Sequence, residues 1–136
     1  MSLRARLQAA WSRIPGTEAH AARQASRELD ELGRRIVANA RRRINSRTGE
    51  LSRSTGHRVH NDGRNPRLQV FATARHARYV HDGTRAHEIR ARYAQALRFR
   101  MGGQTVFARR VWHPGTRANP FLADAVREET ARRRSR

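Results

Sequence analysis

Between Glu18 and Ile44 the chain contains no proline and one glycine, Gly33, while Ala22, Ala25, Leu29, Leu32, Ile36, Ala40 and Ile44 recur at intervals of three and four. That spacing keeps one apolar stripe on one face of an α-helix. It predicts a single amphipathic helix about 40 Å long at 1.5 Å per residue. Its acidic residues Glu18, Glu28, Asp30 and Glu31 precede the basic run Arg41-Arg42-Arg43, a polarity the helix dipole favours. Thr17 is placed to cap its start, and Pro15-Gly16 breaks it from what precedes. Upstream, Leu3, Leu7, Ala10, Trp11 and Ile14 follow helical spacing, so Met1 to Ile14 reads as a short helix capping the core.

After Arg47-Thr48-Gly49 the period changes. Leu51 to Asn61 and Arg67 to Thr73 read as two strands joined by a polar turn through Asp62-Gly63 and Asn65-Pro66. On the second strand Val70 and Ala72 share one face, Phe71 and Thr73 the other. Ala77 to Val80 reads as a helical turn and His81 to Arg85 as a loop. Leu97, Phe99 and Met101 alternate with Arg98 and Arg100, which predicts a half-buried strand. Gly102-Gly103 then turns the chain into a partner strand over Gln104 to Val111. Trp112 to Ala118 reads as a loop, Asn119 as the cap and Pro120 as the first turn of a last helix. Phe121, Leu122, Ala125, Val126 and Glu129 lie on one side of that helix, and the basic run from Arg132 to Arg136 is expected to fray. At 136 residues there is room for one modest core. The reading is an α+β fold, with long N-terminal and C-terminal helices packed on a small, antiparallel-rich mixed β-sheet. Its expected parts are an N-terminal helical arm over 1–16, one domain over 17–132 and a basic tail over 133–136.

Charge and composition narrow the partners. Thirty basic residues, all arginine, stand against 11 acidic ones for a net charge of +19. Arginine's planar five-donor fork suits carboxylates and phosphates alike, so the partners expected are acidic protein surfaces or nucleic acid. The clusters are Arg41, Arg42, Arg43 and Arg47; Arg75, Arg78, Arg85, Arg90 and Arg92; and Arg109, Arg110 and Arg117. Their dispersal suits contact with a phosphate backbone better than base reading. There is no cysteine, which excludes disulfides, thiolate metal sites and cysteine nucleophiles. No window approaches the roughly 20 apolar residues of a membrane span.

Chemistry is poorly provided for. His57 and His60 are three apart on an expected strand and face opposite ways, so they do not share a metal. His76, His81 and His87 surround a loop with Asp82 and Glu88, the best candidate for an acid–base or zinc site, but without the spacing of a metal-binding helix. Ser26, Ser46, Ser52 and Ser54 sit in no strand-turn-helix elbow. The pairs Asp30-Glu31 and Glu128-Glu129 are expected on solvent-facing helix surface. No catalytic, cofactor-binding or metal residue is assigned, and the chain is not read as an enzyme. Tyr79, Phe99, Phe107 and Phe121 are expected in the core, with Trp11 and Trp112 as interface anchors.

Three segments remain: Arg47-Thr48-Gly49-Glu50-Leu51, Tyr79-Val80-His81-Asp82-Gly83-Thr84-Arg85-Ala86-His87, and His113-Pro114-Gly115-Thr116-Arg117-Ala118-Asn119-Pro120-Phe121-Leu122. Together, in this order, they resemble the head–tail joining, or tail-completion, proteins of long-tailed bacteriophages, over about Glu18 to Arg132. A glutamate followed by an aromatic residue commonly precedes the Gly-Thr step in that family, where this chain has His81-Asp82. The resemblance implies a structural virion protein of the neck, a homo-oligomeric ring that completes the tail and joins it to the head connector. The partners it implies are head connector or stopper proteins and tail tube or tail terminator proteins, with nonspecific contact to packaged double-stranded DNA, no cofactor and no membrane. The interface positions expected on this reading are Arg47, Leu51, Tyr79, Gly83, Thr84, Arg98, Arg100, Trp112, Pro120, Phe121 and Leu122. Two alternatives stand beside it: a basic protein binding the nucleic-acid backbone, and a tail terminator or head–tail stopper of the same neck.

Overall fold

The computed structural model describes residues 3–8, 18–45 and 47–135. The periodic stretch forms one helix, α1, over Glu18–Arg43, and its buried residues include Ala22, Ala25, Leu29, Leu32, Ile36 and Ala40. The stripe lies on an antiparallel sheet of strands β1 (Leu3–Gln8), β2 (Thr55–His60) and β3 (Arg67–Ala72), in the order β1-β3-β2. On central β3, Leu68, Val70 and Ala72 are buried while Arg67 between the turn and Leu68 is exposed and Gln69 and Phe71 are half-buried, the alternation of a sheet with one covered face. The α+β architecture is therefore as expected, and every strand pairing among the described residues is antiparallel.

Several elements differ from the reading. Leu3–Gln8 is a strand and not part of a helix; it runs antiparallel to β3 with Leu3, Ala5 and Leu7 opposite Ala72, Val70 and Leu68. The same six residues alternate apolar and polar, a period of two that the wider helical pattern through Trp11 had masked. The remainder of that expected helix, Trp11, the break at Pro15-Gly16 and the Thr17 cap lie outside the described residues. Leu51 does not begin a strand: a short helix α2 spans Glu50–Ser54 and drops Leu51 into the core before β2 starts. Arg41 at the end of α1 holds this corner, its Nε donating to the Ser52 carbonyl at 3.0 Å and its Nη2 to the Thr55 carbonyl at 2.9 Å.

Gly33 sets how closely α1 approaches the sheet. A Cβ there would stand 2.4 Å from His57 Cδ2 and 2.9 Å from Leu68 Cδ1. His57, on β2, fills that space and its Nε2 donates to Asp30 Oδ1 at 2.9 Å, since an ionised carboxylate only accepts. This bond, with the charge of Arg34 adding to it, holds the Asp30 carboxyl below its ordinary value against the opposing effect of burial.

The last helix, α4, covers Phe121–Arg134 and packs beside α1, burying Phe121, Leu122 and Ala125. The seam also contains a carboxylate. Glu129 is 4% exposed and Asn39 of α1 is 3% exposed. Asn39 Nδ2 donates to Glu129 Oε1 at 3.0 Å, Arg132 Nη1 approaches the same oxygen at 3.3 Å, and Arg35 Nε lies 3.8 Å from Oε2. Arg43 Nε donates to Asn39 Oδ1 at 2.7 Å and its Nη2 pairs with Glu128. The expectation of solvent-facing glutamates thus fails for Glu129, because donors on α1 compensate its desolvation. The expected fraying fails too: α4 stays helical to Arg134, and Arg133 Nη2 reaches Glu28 Oε2 at 3.0 Å. Asn119 does not cap α4; its Nδ2 donates to the Arg43 carbonyl at 2.9 Å and so closes the C-terminus of α1 instead.

Three outcomes are expected. Gly33→Ala lowers stability in urea unfolding by about 1–3 kcal/mol through overpacking, although alanine is the better helix former; a gain in stability would contradict the close approach. Glu129→Ala leaves the Asn39 amide unsatisfied and costs about 1–3 kcal/mol, against less than about 0.5 kcal/mol for the exposed Glu31→Ala. Because the folded-state pKa of Asp30 is depressed, its contribution is present above the unfolded value of about 3.9 and is lost as pH falls through the folded one. Thermal melts should therefore show a fall in stability below about pH 4 that is shallower in Asp30→Asn.

Candidate functional site

The segment between the sheet and α4 leaves the body and returns to it. It starts with helix α3 (Ala77–Asp82), which extends the expected turn to take in His81 and Asp82. Two antiparallel ribbons follow. One joins β4 (His87–Arg90) to β7 (Arg110–His113), the other is a hairpin of β5 (Leu97–Met101) and β6 (Gln104–Ala108). Reading the sequence found the hairpin and its Gly102-Gly103 tip. It missed β4 and ran β6 and β7 together, because their continuous pattern hides the break at Arg109 and β4 pairs with a strand distant in sequence.

At the root of the excursion two of the sequence motifs meet. Thr84 N donates to the Thr116 carbonyl at 2.9 Å and Thr116 N returns a bond to the Thr84 carbonyl at 3.1 Å. Thr116 N also lies 3.0 Å from Thr84 Oγ1. Both flanking glycines have positive φ, 74° at Gly83 and 91° at Gly115. A Cβ at Gly83 would meet the Thr116 carbonyl at 2.6 Å, and one at Gly115 the Thr84 carbonyl at 2.3 Å. Only glycine permits both the conformation and the approach. One residue group further on, Asn119 N donates to the Val80 carbonyl at 2.9 Å, which ties the start of α4 to α3. The Gly-Thr and Pro-Gly-Thr segments are therefore two halves of one clasp. The first motif stands apart from it: Gly49, at φ 70°, starts α2, and Arg47 is exposed.

The expected interface positions divide accordingly. Leu51, Phe121 and Leu122 are core residues of the chain itself, so their side chains are not offered to a partner. Pro120 is half-buried at the start of α4, and Gly83 and Thr84 belong to the clasp. Arg47, Tyr79, Arg98, Arg100 and Trp112 are exposed. Tyr79 and Phe107, expected in the core, are corrected to the surface, and Phe99 is half-buried. For the two phenylalanines the physical reason is that the ribbon strands pack mainly on each other, with no described helix laid over them.

An open groove of about 720 Å³ lies beside the clasp, lined by Arg78, Tyr79, Asp82, Gly83, Thr84, Arg85 and His87. Asp82 and His87 of its lining are engaged locally. His81 Nδ1 lies 2.7 Å from Asp82 Oδ1 and its ring packs edge-on against Phe121, while His87 Nδ1 donates to the Arg85 carbonyl at 2.8 Å. His87 and His113, opposite each other on β4 and β7, have ring centroids 5.1 Å apart. Among the described residues no group of three or more histidine, aspartate or glutamate side chains is placed to hold a metal ion. No described helix is long and apolar enough to cross a membrane.

The arginine clusters also separate. In the first, Arg41 and Arg43 are tied into the fold, as described above, while Arg42 and Arg47 are exposed. Between Arg85 and Arg117, eight arginines stand against one acidic residue, Glu88, which pairs with Arg90 at 2.5 Å. Among the described residues the large exposed apolar side chains are Tyr79 on α3 and, within this region, Ile89, Tyr93, Met101, Phe107 and Trp112.

Comparison with known proteins agrees with the motifs. A family model described as "Bacteriophage HK97-gp10, putative tail-component" matches residues 6–83, from β1 through α3 to the first half of the clasp. No curated protein and no solved structure matches the chain significantly. With more than half of its length matched, the chain belongs to the HK97 gp10-like family of bacteriophage tail components.

Proposed function

We propose that the chain is a structural protein of the phage head–tail interface, forming a ring that completes the tail and joins it to the head connector. Membership of a tail-component family carries this reading. The clasp is consistent with it, since it ties the Gly83-Thr84 step, where the matched residues end, to the segment that leads into Pro120-Phe121-Leu122. Function on this reading comes from surface burial between subunits and involves no covalent step. The ring neighbours are head connector or stopper proteins on one side and tail tube or terminator proteins on the other. On this reading the body of helices and sheet supplies the frame, and the clasped ribbons supply the contact surface, with Arg98, Arg100 and Trp112 exposed.

The test is cryo-electron microscopy of particles, or of co-expressed neck proteins, containing this chain. A closed ring between connector and tail tube is the expected result; absence from particles, or density only along the tube or at its tip, overturns the proposal. Within that assay, Trp112→Ala should leave the melting temperature unchanged and lower the yield of joined particles, because the indole is 67% exposed. His60→Ala on the far end of β2 should leave the yield unchanged, whereas Phe121→Ala should fail earlier, at folding.

A further inference from the structure

The exposed faces of the two ribbons have one composition. In an antiparallel pair, residues directly opposite share a face. On the hairpin, Arg98 stands opposite Phe107 and Arg100 opposite Thr105, and all four are exposed. On the other ribbon, Glu88 stands opposite Trp112 and Arg90 opposite Arg110, again all exposed. Each outward face thus carries one large aromatic ring, 67% exposed in both cases, flanked by guanidinium groups. The reverse face of the hairpin holds half-buried Leu97, Phe99, Val106 and Ala108, so the orientation of the aromatic Phe107 toward water is not forced by a lack of an apolar side.

We infer that these two ribbon faces are a docking surface for an acidic protein partner, one that presents carboxylates around apolar sockets. Charge selects the sign: the excursion's arginines have a single acid among them, and several acidic residues of the body are already engaged, Glu28 with Arg133, Asp30 with Arg34 and His57, and Glu31 with Arg35. A second copy of this chain therefore offers little negative surface to the ribbons, and a net charge of +19 opposes the encounter. The aromatics select the class. Tryptophan and arginine are the residues that anchor protein interfaces when their rims exclude water. A DNA duplex presents phosphates and no apolar socket for Phe107 or Trp112. A single strand needs successive rings on which to stack consecutive bases, whereas each ribbon face has one. Two-stranded ribbons are marginal alone, and a partner covering these faces would supply the burial that the chain itself does not. The inference concerns the surface of the single chain and stands or falls apart from the ring.

The test is fluorescence anisotropy of the full chain at about 0.15 M salt, where exposed charges are screened over about 8 Å. The probes are a labelled glutamate–leucine repeat peptide, a DNA duplex and an oligothymidylate strand. The peptide should bind, and both Phe107→Ser with Trp112→Ala and Arg98→Gln with Arg100→Gln should weaken it by about tenfold. A control pair on the exposed face of α1, Arg23→Gln with Arg27→Gln, should change it by less than about twofold. Circular dichroism checks that each variant keeps the fold. Failure of the peptide to bind, or binding that ignores the aromatic substitutions, overturns the inference. So does tighter binding of either DNA with the same loss on removing the rings, or self-association abolished by those substitutions.

Discussion

Everything in this molecule is attached to the contact of α1 with β3. The helix presents Leu29, Leu32, Ile36 and Ala40 to a strand that returns Leu68, Val70 and Ala72, and Gly33 leaves the room that the side chains of His57 and Leu68 occupy between helix and sheet. Close approach gives dense packing, which is the main source of stability available to a chain this short. It also fixes geometry: His57 can bond Asp30 only because β2 lies under the glycine.

From that contact the structure is extended by polar closures that happen to be arginine and asparagine. Arg41 ties the end of α1 to α2 and β2, Asn119 bonds the Arg43 carbonyl at the end of α1, and Asn39 with Arg35 and Arg132 accepts Glu129 of α4 into the seam. A buried carboxylate of this kind gives register more than stability, since it is costly in any arrangement that separates it from its donors. The seam thereby places α4, and α4 places Asn119 and the return arm of the clasp. The ribbons beyond the clasp have no such network. Their arginines have one acid for company, and Phe107 and Trp112 face water.

The three-motif pattern has a physical meaning that is local in space and distant in sequence. Gly83-Thr84 and Gly115-Thr116 form one crossing of two backbones, at distances where any side chain on either glycine would collide with a carbonyl. The first motif serves a separate end, turning α1 into α2 at Gly49 and burying Leu51.

Sequence alone determined the elements whose pattern repeats within their own length: α1 from its threes and fours, the alternation of β3, the β5–β6 hairpin from Arg98 and Arg100 between apolar neighbours, and the α+β class that follows. It also determined the charge and the absence of thiol chemistry, and its motifs pointed to the family. Tertiary structure decided what depends on partners far along the chain. Leu3–Gln8 became a strand because β3 had an open edge, β4 became one because β7 returned beside it, and Asn119 served the helix it touches instead of the helix it precedes. Burial of Glu129 and exposure of Tyr79 and Phe107 reversed what their side-chain types suggested. Burial is a property of what covers a residue, and a periodic pattern records only which residues share a face.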